Sequence, residues 1–443
     1  MNAPLPTPPL PLPLSAKALR TAESPINALI AAKLANPDLI NFAAGLVDDA
    51  SLPVDECRAI TGRIFAEPAS GRRALQYGTT IGLRALREEL LAHLERLEGR
   101  TVGDLNLSPD DICVTTGSQQ SLYLIADVLL NPGDIVITAN PSYFVFTGAL
   151  QSLGADVRAV PMDDGGMRVD LVEQTLADLD RSGELARVKF IYCTSYFDNP
   201  TGLSLAEARR KQLVEIVKRY SKSHRILILE DAAYRELRLD GPVLPSIKSF
   251  DPDNLYTIIS LTFSKPFAPG IKLGYSVMPP DLLEQVLRQK GSHDFGTSNL
   301  CQEIALAALQ DGTYLSHLDV LRDQYRKKRD ATLAELEKHL GPKQLTTDHG
   351  QLTTPISWTH PAGGLYVWLT LPAHVDTSRE GRLFDTCVKY GVLYVPGGYS
   401  FSPDATGRVP NHHVRLCYGQ TPPADIAPGI ERLADAIKAE LAQ

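Results

Sequence analysis

A lone lysine, Lys265, stands between hydroxyl residues and a Pro/Gly-rich turn in the stretch TFSKPFAPGIKLGY. It directly follows the apolar run LYTIISL, which reads as a buried strand, so the amine sits at a strand end, where α/β folds put their chemistry. Taken singly, a lysine in a loop is a solvated surface charge; its company elsewhere in the chain sets this one apart. Asp231 closes the apolar strand RILIL, and a partly buried acid needs a cationic partner or a functional reason. Arg415 lies inside the strand-like run HHVRLCYG, where its planar fork can meet a carboxylate, either a structural partner or a ligand. The TGS of TTGSQQ opens a helix, offering free backbone N–H groups and hydroxyls to an anion such as phosphate, although an ordinary helix cap looks the same.

These residues need a scaffold, and the chain supplies an alternation of strands and helices. DICVTTG, DIVITANPSYF, ADVRAVPMD, VKFIYCTSYF, RILILEDAAY and NLYTIISLTFSK read as strands, with helical runs such as SQQSLYLIADVLL and LAEARRKQLVEIVKRYSKSH between them. Such βαβ alternation implies a largely parallel sheet buried by helices on both faces. After about Asp281 the texture changes to a succession of helices, one of them long and charged from near Tyr314 to Leu340. GGLYVWLTLP, VLYVPGGYSF and HHVRLCYG then read as strands of a second, smaller sheet covered by the final helix. Near the start, Ser15 to about Ile40 reads as a helix ending before Pro37, followed by a short strand at LINF.

At 443 residues the chain is too long for one simple core. The expected organisation is a proline-rich tail over residues 1–14, an N-terminal part of a small domain over 15–60, a large domain over 61–320, and the rest of the small domain over 321–443. A net charge of −8 argues against nucleic acid or a membrane surface as the main partner. No apolar run reaches the roughly 18 residues of a spanning helix, and the N-terminus lacks the pattern of a secretory signal, so a cytoplasmic location is expected. The six cysteines are scattered without metal-ligand spacing and read as free thiols. Strand alternation would turn adjacent His412 and His413 to opposite faces, which argues against a metal pair.

Seven short signals fall in order at predicted strand ends: YGTTIG, TTGSQQ, NPSYF, FDNPTG, EDAAY, TFSK and HHVRL. Together they resemble the fold type I pyridoxal-phosphate enzymes, specifically the class I/II aminotransferases, over nearly the whole chain from about residue 25. The KPFAPG form looks most like the branch with 2-aminoadipate and broad-range aromatic or branched-chain enzymes.

That resemblance implies a large domain built on a mostly parallel, seven-stranded-type sheet, a smaller α+β domain, and pyridoxal 5′-phosphate as cofactor. It makes Lys265 the Schiff-base lysine and acid/base, and Asp231 the carboxylate that keeps the pyridine nitrogen protonated. Asn199 and Tyr234 match donors to the ring's phenolic oxygen, and Tyr143 matches the aromatic stacked on the ring. Ser118, Gln119, Thr262, Ser264 and Lys272 match the phosphate cradle, with Tyr77 reaching the phosphate of a neighbouring subunit in a homodimer. Arg415 matches the clamp on the substrate's α-carboxylate, with Gly45 lining the same site. The Asn140–Pro141 and Asn199–Pro200 bonds are candidates for the cis form.

Two departures stand out. The family's usual arginine is Lys272 here, which keeps the charge but loses the fork. Asp294 falls where aspartate-type enzymes carry a side-chain arginine, implying a substrate that is not a dicarboxylate. The expected reaction is ping-pong transfer of an amino group from an L-amino acid to a 2-oxo acid. The same motifs also suit a lyase, decarboxylase or oxidase. A transcriptional regulator with an aminotransferase-like sensor is a further alternative, disfavoured because only a tail and one helix precede the core.

Overall fold

Ile135–Asn140 and Val188–Thr194 are apolar on both sides of the strand, so neither face can be left to water. They form the middle of an eight-stranded sheet in the computed structural model, which describes residues 12–101, 103–342, 346–347, 350–351, 356–404 and 406–442. Residues 1–11 of the proline-rich start lie outside the described residues. In chain order the strands are β1 (Ile112–Thr115), β2 (Ile135–Asn140), β3 (Asp156–Asp163), β4 (Gly166–Met167), β5 (Val188–Thr194), β6 (Leu227–Asp231), β7 (Thr257–Thr262) and β8 (Gly274–Val277). They lie in the order β1-β8-β7-β6-β5-β2-β3-β4. The pairs from β3 through β2, β5 and β6 to β7 are parallel, whereas β8 runs antiparallel to both its neighbours and β4 is an antiparallel edge piece.

The two-residue period of the strands divides the core. Val136, Phe190, Tyr192 and Leu229 point to one face, packing against helices α1 (Gly117–Leu129) and α2 (Phe144–Leu153). Ile135, Ile137, Ile191 and Ile228 point to the other, beneath α3 (Val169–Arg181) and α4 (Glu207–Tyr220). Each such fully buried side chain contributes on the order of 1.5–3 kcal/mol. The sheet is therefore a stiff plate for the loops at its edge.

The smaller sheet is antiparallel, in the order β9-β10-β12-β11: β9 (Ser357–Trp358), β10 (Tyr366–Thr370), β11 (Val395–Pro396) and β12 (His413–Cys417). Ile40 and Asn41, from the start of the chain, pair in parallel with Val392 and Leu393. The long charged helix α5 (Thr313–Leu340) and the final helix α6 (Pro423–Leu441) pack beside this sheet. Buried Lys328 of α5 ties the parts together by donating to Asp48 Oδ1 and the Gly419 carbonyl, both at 2.8 Å.

Several expectations need correction. The large sheet is of the expected mostly parallel, seven-stranded type, with β4 added as a two-residue antiparallel edge to make eight strands. The N-terminal helix is two pieces, Ala16–Arg20 and Pro25–Ala35, since Pro25 lacks the N–H needed to continue the first and instead starts the second. The Asn140–Pro141 bond is cis; Asn199–Pro200 is not. His412 and His413 do not diverge: β12 begins only at His413, and the two rings pack 4.1 Å apart.

Candidate active site

The carboxyl ends of β5, β6 and β7 converge, and their loops carry the chemistry. Lys265 lies in the turn just after β7, part-buried, with Nζ donating to the Gly45 carbonyl at 2.7 Å. Burial lowers its pKa to about 8; the nearby Cys417 thiol works against this, while Arg415 and Lys272 add to it. Among the described residues it has no acidic partner. A useful fraction of the amine is thus neutral near pH 8.

Asp231 is the last residue of β6 and is buried. Burial raises its pKa to about 6, although Tyr192 Oη donates to Oδ2 at 2.9 Å and the Ala233 N–H to Oδ1 at 3.2 Å. No cation pairs with it among the described residues. Its neighbour Glu230 faces the other way and is held by Ser195 and the backbone of Ile247 and Lys248.

Arg415 sits mid-strand in β12, only 2% exposed. It donates to Asn199 Oδ1 at 2.8 Å and to the Ala43 carbonyl at 2.9 Å, while its buried Nε has no partner. The guanidinium lies 4.7 Å from the Tyr366 ring centre and 5.7 Å from that of Phe144. No acid reaches it among the described residues, so the structural ion pair that could have explained this arginine is absent there.

Asn199 is held in place by a dovetailed loop. Phe197 adopts φ +45°, a left-handed conformation rare for an aromatic residue, and its ring fills the space against Gly363 and Gly364. A Cβ on Gly363 would come within 2.6 Å of that ring. Strain here is held by packing and fixes where Asn199 projects.

The start of α1 is the third feature. Gly117 takes φ +73°, no side chain caps the first turn, and Ser118 and Gln119 follow with open N–H groups. Gly274 of β8 presses against it: a Cβ there would lie 2.6 Å from the Ser118 nitrogen. Across the gap Thr262 Oγ1 bonds Ser264 Oγ at 3.0 Å, and exposed Lys272, at φ +51°, has no side-chain partner among the described residues.

Tyr234, after β6, shares a 2.8 Å hydrogen bond with Tyr366, and its ring lies 5.8 Å from Lys265 Nζ. Tyr143 is the residue before α2; burial raises its hydroxyl above the ordinary value, and Asp231, Tyr366 and Arg415 are the charged or titratable groups that act on it. Two expected residues are not gathered here. Tyr77 is 82% exposed and edge-on to Phe295. Asp294 is already neutralised by buried Lys290 at 2.8 Å and accepts from Gln120 at 2.6 Å, so it has no free charge with which to select a substrate. Conversely, Tyr192 and Tyr366 belong to the site but read as core in the sequence, each within an apolar strand.

An uncompensated acid, an unpaired depressed amine, a buried guanidinium with an open Nε and an uncapped helix start complement four groups. These are a protonated ring nitrogen, an aldehyde, a carboxylate and a phosphate. Residues 37–433 match the family described as aminotransferase class I and II. The chain belongs to that family. As a member it is a pyridoxal-phosphate-dependent aminotransferase, and the donor set fits that cofactor. It is 35% identical to aromatic-amino-acid aminotransferase 1 of Thermococcus litoralis, across 96% of this chain and 94% of that one. It is 30% identical to an uncharacterized HTH-type transcriptional regulator of Bacillus subtilis, across 90% of this chain and 74% of that protein. The kynurenine aminotransferase of Pyrococcus horikoshii, solved with pyridoxamine phosphate and kynurenine, superposes with a TM-score of 0.84 at 34% identity, covering 97% of each chain. Among the described residues no helix is long and apolar enough to cross a membrane.

Proposed function

We propose that this chain moves an amino group from an L-amino acid to a 2-oxo acid in two half-reactions, with Lys265 as the lysine that carries the cofactor and shuttles the proton. The observation that carries this reading is the amine itself. Among the described residues it is part-buried, without an acid partner, with a pKa depressed to about 8, and bonded only to a backbone carbonyl that it can leave without stranding a charge. Pyridoxal phosphate, when bound, supplies an aldehyde for the amino nitrogen and a ring that takes up the electron pair released at Cα.

The protein's part is then positional and electrostatic. Asp231 gives the ring nitrogen a buried counter-charge, and Tyr192 keeps that carboxylate aimed. The first turn of α1, with Thr262, Ser264 and Lys272, holds the phosphate. Arg415 takes the substrate carboxylate through its open Nε and its fork, while Asn199 and Ala43 keep the guanidinium planar to the site. Lys265 would serve as the base and then the acid of the transfer: its neutral amine would take the proton from the substrate's Cα and would later give it back. Tyr77 and Phe295, both exposed aromatic residues, support a homodimer in which a second copy covers this edge and Tyr77 reaches across.

Product analysis tests the reaction. A 2-oxo acid and a new amino acid in equal amounts are expected from donor and acceptor together, and K265A should abolish both. Release of ammonia or carbon dioxide would replace the reading with elimination or decarboxylation. Binding of amino acids without turnover would favour a sensor like the regulator relative.

A further inference from the structure

Tyr366 is the first residue of β10, 1% exposed, and lies against Tyr234, Arg415 and Gly45. Its hydroxyl is 2.8 Å from that of Tyr234. Its ring lies under the Arg415 guanidinium. Its Oη stands where a Cβ on residue 45 would come within 2.8 Å, so only glycine fits beside the carbonyl that receives Lys265. The strand start itself is wedged on the Asn199 loop, since a Cβ on Gly202 would meet the Tyr366 carbonyl at 2.6 Å.

Two hydroxyls in one hydrogen bond have two protons, and only one lies between them. Whichever tyrosine donates, the other keeps its own proton for a different acceptor. The cation beside Tyr366 makes its hydroxyl the better donor, since positive charge favours the departing proton. We infer that Tyr366 is a positioning residue: it donates to Tyr234, so that Tyr234 is left with its own proton aimed at the cofactor's ring oxygen. The inference rests on the cofactor reading above and assigns Tyr366 a role through Tyr234 alone. The titratable or charged groups facing the pair are Lys265 after β7, Arg415 and Cys417 of β12, Asp198 beside Asn199, and Tyr143 before α2.

The experiment is a spectrophotometric pH titration of the bound cofactor in holoenzyme. A ring oxygen whose donor is lost or weakened holds the proton it shares with the lysine nitrogen more tightly, so the midpoint of the colour change should move up. Tyr366→Phe keeps the ring over Arg415 but leaves the Tyr234 oxygen without the donor that polarises and aims its own proton, and should raise the midpoint by about half a unit or more. Tyr234→Phe should raise it at least as far, and the double variant should sit with Tyr234→Phe, showing no further shift. A Tyr366→Phe curve that superimposes on wild type overturns the inference. An equal extra shift from Tyr366→Phe in the Tyr234→Phe background also overturns it, because Tyr366 would then act by another route. Wild-type protein lacking any such band with added pyridoxal phosphate is a different result, and removes the cofactor reading itself.

Discussion

Asp231 and Lys272 are two residues at which charge and geometry make opposite demands. The folded pKa of Asp231, about 6, lies above the ordinary 3.8. The cofactor-free protein therefore holds a proton there that the unfolded chain has released. For this group, stability is highest below about pH 4, falls as pH rises through about 6, and stays low above it. Asp231→Asn should raise the melting temperature of the cofactor-free protein at pH 8 by roughly 1–3 °C, with no gain at pH 4. The same change should cut amino transfer at least ~100-fold. An activity near wild type would remove Asp231 from the site. Lys272 stands on a left-handed backbone and carries a point charge without a fork. Lys272→Arg should tighten cofactor retention about three- to tenfold by equilibrium dialysis, and unchanged or weaker retention would show that lysine suffices. Lys265, Asp231 and Arg415 were legible because chemistry-bearing side chains stood at strand ends or inside an apolar run. Tyr192 and Tyr366 were not, because a tyrosine among apolar residues reads as core until its hydroxyl has an address. Asp294 was misread although Lys290, four residues before it on the same helix, was there to pair with it.

At the level of elements, the proposed anion site is a contact between β8 and α1 rather than a property of either. The spacing of TTGSQQ identifies a helix start, but only the fold brings Gly274 against it, and GYSV is too short for its period to announce a strand. Gly274→Ala would push a methyl group into the Ser118 nitrogen and the Leu261 carbonyl, 2.6 and 2.8 Å away. Neither is the end of a flexible side chain. The variant should lose about 1–3 kcal/mol of stability and bind the cofactor at least tenfold more weakly. Binding at wild-type strength in a thermal-shift titration would mean that the phosphate does not use this turn. The middle of the parallel core, β2, β5, β6 and β7, was readable by contrast, since these strands are buried on both faces and largely apolar.

For the whole molecule, the exposed edge near Tyr77 is the informative surface. Leu75, Tyr77 and Phe295 are 70%, 82% and 56% exposed, large apolar side chains to leave in water. A dimer in sedimentation is expected, and Tyr77→Ala should weaken cofactor retention severalfold while leaving the subunit's own melting unchanged in cofactor-free protein. A monomer with full activity would sink the composite site. That the N-terminal helix and the C-terminal part join in one small domain is an expectation from texture; which residues meet is not legible, because Ile40 and Val392 are too distant in sequence for any local pattern to pair them.

The bond from Arg415 to the Ala43 carbonyl spans 372 positions. On the ribosome, where a chain emerges from its N-terminus, the strands of the large sheet are all available long before β12 exists. The proposed grip on a substrate carboxylate is therefore made after the lysine and the acid, and it closes only when residue 415 finds residue 43. Nascent chains arrested before residue 413 should contain the lysine and the acid yet show no saturable response to amino acids. An unfinished copy would hold its reactive amine without the means to recruit a substrate to it.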